Sequence, residues 1–189
     1  MEKTAVQKLA GALKVLVTIT LVCNLVALLL VPGMSLMKGP EELLALTPYE
    51  NPLEVPLRVG IAFVLSWGWV WTAGVYEVGL ALFLLFCGIC TAVILWQGRR
   101  GLGTILTGAP FRAENGVSLR RAAVCCFLIA AAALARVVWG LFYYGSVAPL
   151  LTYNALFVPI FILGGLLCLV MSALFRQAAE LKAENDLTI

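Results

Sequence analysis

Four long apolar runs, each bounded by short charged or Pro/Gly-rich segments, constrain this chain more than any other feature. The first, VLVTITLVCNLVALLLV at residues 15–31, carries no charge and is closed by Pro32 and Gly33. Crossing about 30 Å of hydrocarbon at about 1.5 Å per residue takes roughly 20 apolar residues. Comparable runs follow near 78–97, 120–144 and 155–176. With 62% hydrophobic and 12% charged residues, the chain falls far from a soluble domain, where about 25% charge is usual. The expected fold class is an all-α integral membrane protein with four transmembrane helices in a single four-helix domain. Lys3, Lys8 and Lys14 precede the first run. A basic start of this kind also fits a signal peptide, but the run is long and no small-x-small site follows it, so an uncleaved helix is expected.

Charge placement sets the topology. Cytoplasmic flanks are enriched in Lys and Arg. Arg99, Arg100, Arg112, Arg120 and Arg121 crowd the segment 98–121 against one acid, Glu114. With the N-terminal lysines and this segment on the same inner side, the number of crossings between them is even. Residues 57–97 therefore supply one span, best placed at 78–97, although their forty apolar positions are long enough for two. Of the 13 Lys and Arg, ten fall inside, Lys38 and Arg58 fall outside, and Arg136 lies within a helix. Both termini are expected in the cytoplasm.

Residues 34–77 then form an outer segment. Pro48, Pro52 and Pro56 recur every four residues, a pattern that helix interiors do not tolerate. An irregular segment is expected, with a short helical turn near Glu41 to Leu46. Trp67, Trp69, Trp71 and Tyr76 suit a headgroup-level aromatic belt. Their alternation with Gly68 and Val70 also fits a short strand.

Three polar residues stand out in or near the spans. Arg136 lies about 22 Å above the inner face by helical rise, where a charge is costly, and needs a partner or a wet cavity. Glu77 stands at the outer end of the second span, within reach of a snorkelling arginine. Asn24 sits near the middle of the first span and can hydrogen-bond across helices for about 1 kcal/mol. The simplest role of each is structural, as a clasp between helices. The functional alternative is a polar path through Arg136, Glu77 and Asn24, as in a small transporter, channel or tolerance factor.

The rest of the inventory is thin. The chain has no histidine, which removes the commonest general base and metal ligand. The six cysteines (Cys23, Cys87, Cys90, Cys125, Cys126 and Cys168) all lie in apolar runs, which argues against a disulfide framework. Cys87 and Cys90 have thioredoxin-like spacing, but their apolar helix predicts inert thiols. Cys125 and Cys126 lie toward the inner leaflet, where palmitoylation is conceivable. No nucleotide-binding loop, activated nucleophile or metal spacing appears. No enzyme activity, cofactor or metal is expected.

Small residues recur at four-residue spacing in two helices: Gly164, Cys168 and Ser172 in the fourth, and Ala131 and Ala135 in the third. Such stripes allow close helix packing within the bundle or, alternatively, in a homodimer. The inner loop 98–119 holds a short amphipathic piece, Leu102 to Leu106, and a turn that Pro110 and Phe111 would anchor at the membrane face. The fourth helix is expected to leave the membrane near Phe175 and to stop near Asn185, leaving an extended DLTI end. Arg99, Arg100, Arg120 and Arg121, with Glu184, Asn185 and Asp186 of the tail, form the candidate cytoplasmic docking set.

The stretches ILTGAPFRAENGVSLRR and AAELKAENDLTI resemble a bacterial family of small four-span membrane proteins defined only as a domain of unknown function. That family shows a Pro-Phe turn, an Asn and a Leu-Arg before the third helix, and a Glu-Asn-Asp-Leu-Thr tail. Pro110, Phe111, Asn115, Leu119, Arg120 and the residues Glu184 to Thr188 match these features. The resemblance runs from about residue 78 onward, and the acidic, Trp-rich outer segment is its less familiar part. It implies the same four-span topology. Members often lie beside a gene for a small helix-turn-helix regulator, which implies a membrane partner for a transcription factor. The expectation is a non-enzymatic sensor or anchor in the bacterial inner membrane, with the lipid bilayer and a cytoplasmic regulator protein as partners and no direct contact with nucleic acid.

Overall fold

The computed structural model describes residues 5–36, 55–108 and 112–187. Every regular element among them is helical: α1 (Ala5–Leu36), α2 (Val55–Trp69) with a 3-10 turn at Val70–Thr72, α3 (Val75–Leu106), α4 (Ala113–Tyr144), a 3-10 turn at Ala148–Leu151, and α5 (Tyr153–Leu187). α1, α3, α4 and α5 are each long and apolar enough to cross a membrane. Large apolar side chains are exposed along all four, including Leu29, Ile89, Phe142 and Leu167. In water such a surface would be untenable; in lipid it is the solvated face. The chain is a multi-pass membrane protein.

Several boundaries differ from the sequence reading, each for a physical reason. α1 passes through Pro32 and ends at Leu36, rather than stopping at Pro32 and Gly33. The outer segment is not irregular where it is described, because 55–72 is helical; the helical turn expected at Glu41 to Leu46 lies outside the described residues. Pro56 falls in the first turn of α2, where a missing N–H costs nothing. No strand forms at Trp67 to Trp71, which is the end of α2 and its 3-10 turn. Ser66 and Val70 are buried there while Gly68 between them is exposed, whereas a strand would put all three on one face. The inner loop 98–119 is mostly helix: α3 runs through Gly98, Gly101 and Gly103 to Leu106, and α4 begins at Ala113. α5 continues to Leu187, past the stop expected at Asn185.

The chain divides into two compact units: Leu25–Gly88, and Met1–Asn24 with Ile89–Ile189. In the first, Val31, Val70 and Ala81 form a small core with Leu84 and Leu85 packed on it. Pro32 and Gly33 are buried beside Val31, and Leu28 packs onto Gly88, which has no side chain to obstruct it. The Trp67 indole donates to the Leu29 carbonyl at 3.0 Å, holding α2 to α1. Glu77 folds its carboxylate back over Gly74 at the start of α3, where the helix dipole favours negative charge.

In the second unit α4 and α5 form an antiparallel hairpin. Gly145 closes α4 at φ 59°, a left-handed conformation that glycine adopts without strain, and its N–H bonds the Leu141 carbonyl. Pro149 of the connecting turn then lies against Gly140. The buried face of α4 is built from small residues: Ala122, Ala123, Cys126, Ala130, Ala133 and Gly140, with Ile129 and Val137. Ala131 and Ala135, expected to line a packing stripe, are exposed instead. On α5 the expected stripe is only partly right. Ser172 is buried and Cys168 half-buried, but the tight contact belongs to Gly165, against the Phe127 ring, and not to Gly164.

Candidate functional site

Helices of 32 residues (α3 and α4) and 35 residues (α5) are about 48–52 Å long, well over the roughly 30 Å of hydrocarbon. The surplus is polar and lies at the end of α3, the start of α4 and the end of α5. These three ends meet. The Asn115 amide donates to the Thr104 hydroxyl at 2.7 Å, and that hydroxyl donates to the Gly101 carbonyl at 2.7 Å. Ser172 donates to the Gly116 carbonyl at 2.7 Å, with its side chain buried. Arg176 lays its aliphatic stem across Gly116, so that a Cβ on Gly116 would sit 2.9 Å from Arg176 Cγ and 3.1 Å from the Ser172 carbonyl oxygen. Glycine at 116 is thus what lets α4 and α5 touch by backbone. α1 joins from the side, with Gly11 against Leu106 and Lys14 against Gly103.

Among the described residues, the buried polar side chains concentrate here: Gln97, Asn115, Ser118 and Ser172, with Ser35 and Ser66 in the other unit. The Gln97 Oε1 atom is buried and accepts from no donor among the described residues. Around this polar interior lies a charged rim. Arg100 pairs with Glu114 at 3.1 Å, with both side chains more than half exposed. The Arg99 guanidinium lies 5.9 Å from the Trp96 ring centroid. Arg112, Arg120, Arg121, Arg176, Glu180 and Lys182 are exposed. The arrangement is a helical platform with a hydrogen-bonded inside and a basic outside. It offers binding by charge and shape.

The candidate docking set is therefore partly engaged within the chain. Arg100 is taken by Glu114, and Arg99 stacks on Trp96. Arg120 and Arg121 are exposed on α4. Glu184 and Asn185 are exposed on the last helical turns of α5, both with partners. Asp186 lies in the same helix, its side chain outside the described residues, as are Pro110 and Phe111 altogether.

The intramembrane polar set divides between the units. Asn24 and Arg136 are in one and Glu77 in the other. Asn24 and Arg136 are half-buried, and neither lacks a partner.

The sequence reading missed the contacts at Thr104, Asn115 and Gly116. Asn115 was visible only through the family resemblance, and nothing in the sequence distinguishes Gly116 from the chain's other glycines. The Cys90 thiol of α3 has Cys125 of α4 as a neighbour, and the Cys126 thiol has Cys168 of α5.

A comparison with protein families matches residues 45–189 to DUF2975, a protein of unknown function. The match begins well before residue 78, so α2 and the Trp-rich turn lie within the matched range as the tail does. No curated protein and no solved structure matches the chain. With most of its length covered, from α2 to the end of α5, the chain belongs to the DUF2975 family.

Proposed function

We propose that this chain is a non-enzymatic protein of the bacterial inner membrane, with both termini cytoplasmic, that senses or anchors by holding a cytoplasmic protein on the platform formed by α3, α4 and α5. A small helix-turn-helix regulator is the partner we favour. The observation that supports this reading is the continuation of three helices past membrane length into one hydrogen-bonded junction with a basic rim. A chain that only had to sit in lipid would have no use for an ordered polar interior at that end. The exposed Arg120 and Arg121 supply charge for an acidic protein surface, and positive residues of this kind steer association. The neighbouring-gene regulator, tagged and co-expressed with the full-length chain, should co-purify with it in mild detergent. The double change Arg120→Glu with Arg121→Glu should abolish that capture while leaving membrane insertion intact. Capture undiminished by the double change would overturn the assignment of this surface.

A further inference from the structure

Lys14 of α1 and Arg99 of α3 belong to the same compact unit and converge on one stretch of α3. The Lys14 ammonium lies over Gly103, where a Cβ would sit 3.6 Å from Nζ. Arg99 precedes Gly103 by one helical turn, on the same face. Both side chains are half-buried, and among the described residues neither has a carboxylate partner. The Arg99 guanidinium lies over the Trp96 ring, 5.9 Å from its centroid. Trp96 is three residues nearer the hydrocarbon, so the cation reaches back toward lipid and not out into water. Trp96 is 56% exposed and continues a stripe of exposed apolar side chains, Ile89 and Val93, at the spacing of one helix face. Tryptophan of this kind settles at the headgroup boundary. From Trp96 to Gly103 the helix rises about 10 Å, enough to cross a headgroup layer about 5–8 Å deep. Two cations without acids therefore stand where lipid phosphates lie.

We propose that Lys14, Arg99 and Trp96 form a binding site for the headgroup of an anionic phospholipid of the surrounding membrane. The phosphate is held between the ammonium and the guanidinium, whose planar N–H donors suit phosphate oxygens. The Trp96 ring carries the glycerol region, and an acyl chain follows Val93 and Ile89. Charge selects the lipid class. A headgroup that brings its own ammonium is repelled by these two cations, whereas one bearing only uncharged hydroxyls, the phosphatidylglycerol class, is accepted. Gly103 contributes by having no side chain, which lets Lys14 lie flat on α3. A lipid held in this way would pin α1 to α3 at the membrane boundary. The inference depends neither on a cytoplasmic partner at Arg120 and Arg121 nor on which leaflet this end of the chain meets.

The test is native mass spectrometry of the full-length chain in detergent, where orientation in a bilayer plays no part. Titrated with phosphatidylglycerol, the chain should retain lipid at concentrations where phosphatidylethanolamine with the same acyl chains is lost. Lys14→Gln and Arg99→Gln should each weaken phosphatidylglycerol binding about fivefold, and together about 30-fold. Lys14→Arg with Arg99→Lys keeps both charges and should retain lipid as the wild type does, which separates lost charge from lost folding. Arg112→Gln with Lys182→Gln removes the same charge elsewhere and should leave binding unchanged. Should the double Gln variant fail to accumulate, the two single variants decide. Inorganic phosphate at millimolar concentration should not displace the lipid; displacement would assign the site to a soluble anion and overturn the lipid assignment. Equal retention of the two lipids, or an equal loss in the Arg112 and Lys182 control, would overturn the proposal.

Discussion

The Trp67 indole reaches across 38 residues of sequence to donate to the Leu29 carbonyl at 3.0 Å. Its acceptor lies one residue from Leu28, whose carbonyl is deprived of a helical donor because Pro32 has no N–H. The bond ties α2 to the weakest point of α1. It explains how a helix can run through a proline and stay packed, with Val31 and Pro32 buried.

Trp67→Phe should therefore destabilise the Leu25–Gly88 unit by about 1 kcal/mol, the usual net worth of one hydrogen bond. Most of the ring's packing is kept in phenylalanine, so the loss isolates the donor. Trp69→Phe is the control, because Trp69 is 59% exposed. Thermal unfolding in detergent should show a lower midpoint for the first variant and little change for the second. Equal midpoints would remove the bond from the account.

Two glycines of the second unit should respond in opposite directions. A side chain at Gly101 meets nothing within 4 Å, and glycine in a helix interior costs up to about 1 kcal/mol relative to alanine. Gly101→Ala should raise stability by up to that amount. At Gly116 a Cβ would fall 3.1 Å from the Ser172 backbone oxygen, which cannot move aside as the Arg176 stem can. Gly116→Val should cost about 1–3 kcal/mol through overpacking. Denaturation curves of the two variants beside the wild type settle both signs.

The polar junction contains two interactions of similar length and unequal worth. Asn115 to Thr104 is half-shielded at 2.7 Å, whereas Arg100 to Glu114 is a 3.1 Å pair with side chains 53% and 64% exposed. A double-mutant cycle with Asn115→Ala and Thr104→Val should give a coupling of about 1 kcal/mol that is indifferent to salt. The cycle for Arg100→Ala and Glu114→Ala should give no more than about 0.5 kcal/mol and vanish at high salt. A larger, salt-resistant coupling for the ion pair would reverse the ranking.

Much of this architecture was legible because lipid simplifies the code. Four apolar runs of sufficient length leave few alternatives, and they emerge as α1, α3, α4 and α5. What was not legible depends on which face a residue presents. Ala131 and Ala135 have the spacing of a packing stripe, yet α4 turns Ala130 and Ala133 inward instead. Apolar helices carry little amphipathic signal, because lipid and protein interior accept the same residues. Gly98, Gly101 and Gly103 looked like loop and are helix, since their individual costs are small against the continuity of α3. The thiol neighbours were hidden for a related reason: Cys90 and Cys125, like Cys126 and Cys168, lie on different helices.

The placement of charge carries one further prediction, about orientation. Arg99, Arg100, Arg112, Arg120 and Arg121 surround the α3–α4 turn, whereas the α4–α5 turn from Gly145 to Thr152 has no charged residue. Under the positive-inside bias the first turn is retained in the cytoplasm and the second is exported. A phosphatase that is active only outside the cytoplasm, fused after Gly108, should be silent, and fused after Val147 it should be active. Fusion after Ile189 should again be silent, and fusion after Gly74 active. Substituting Arg99, Arg100, Arg120 and Arg121 together by Gln should weaken this contrast, because these residues supply most of the asymmetry. A phosphatase active after Gly108 and silent after Val147 would invert the chain in the membrane. It would also place the platform of α3, α4 and α5 on the side opposite to any cytoplasmic regulator.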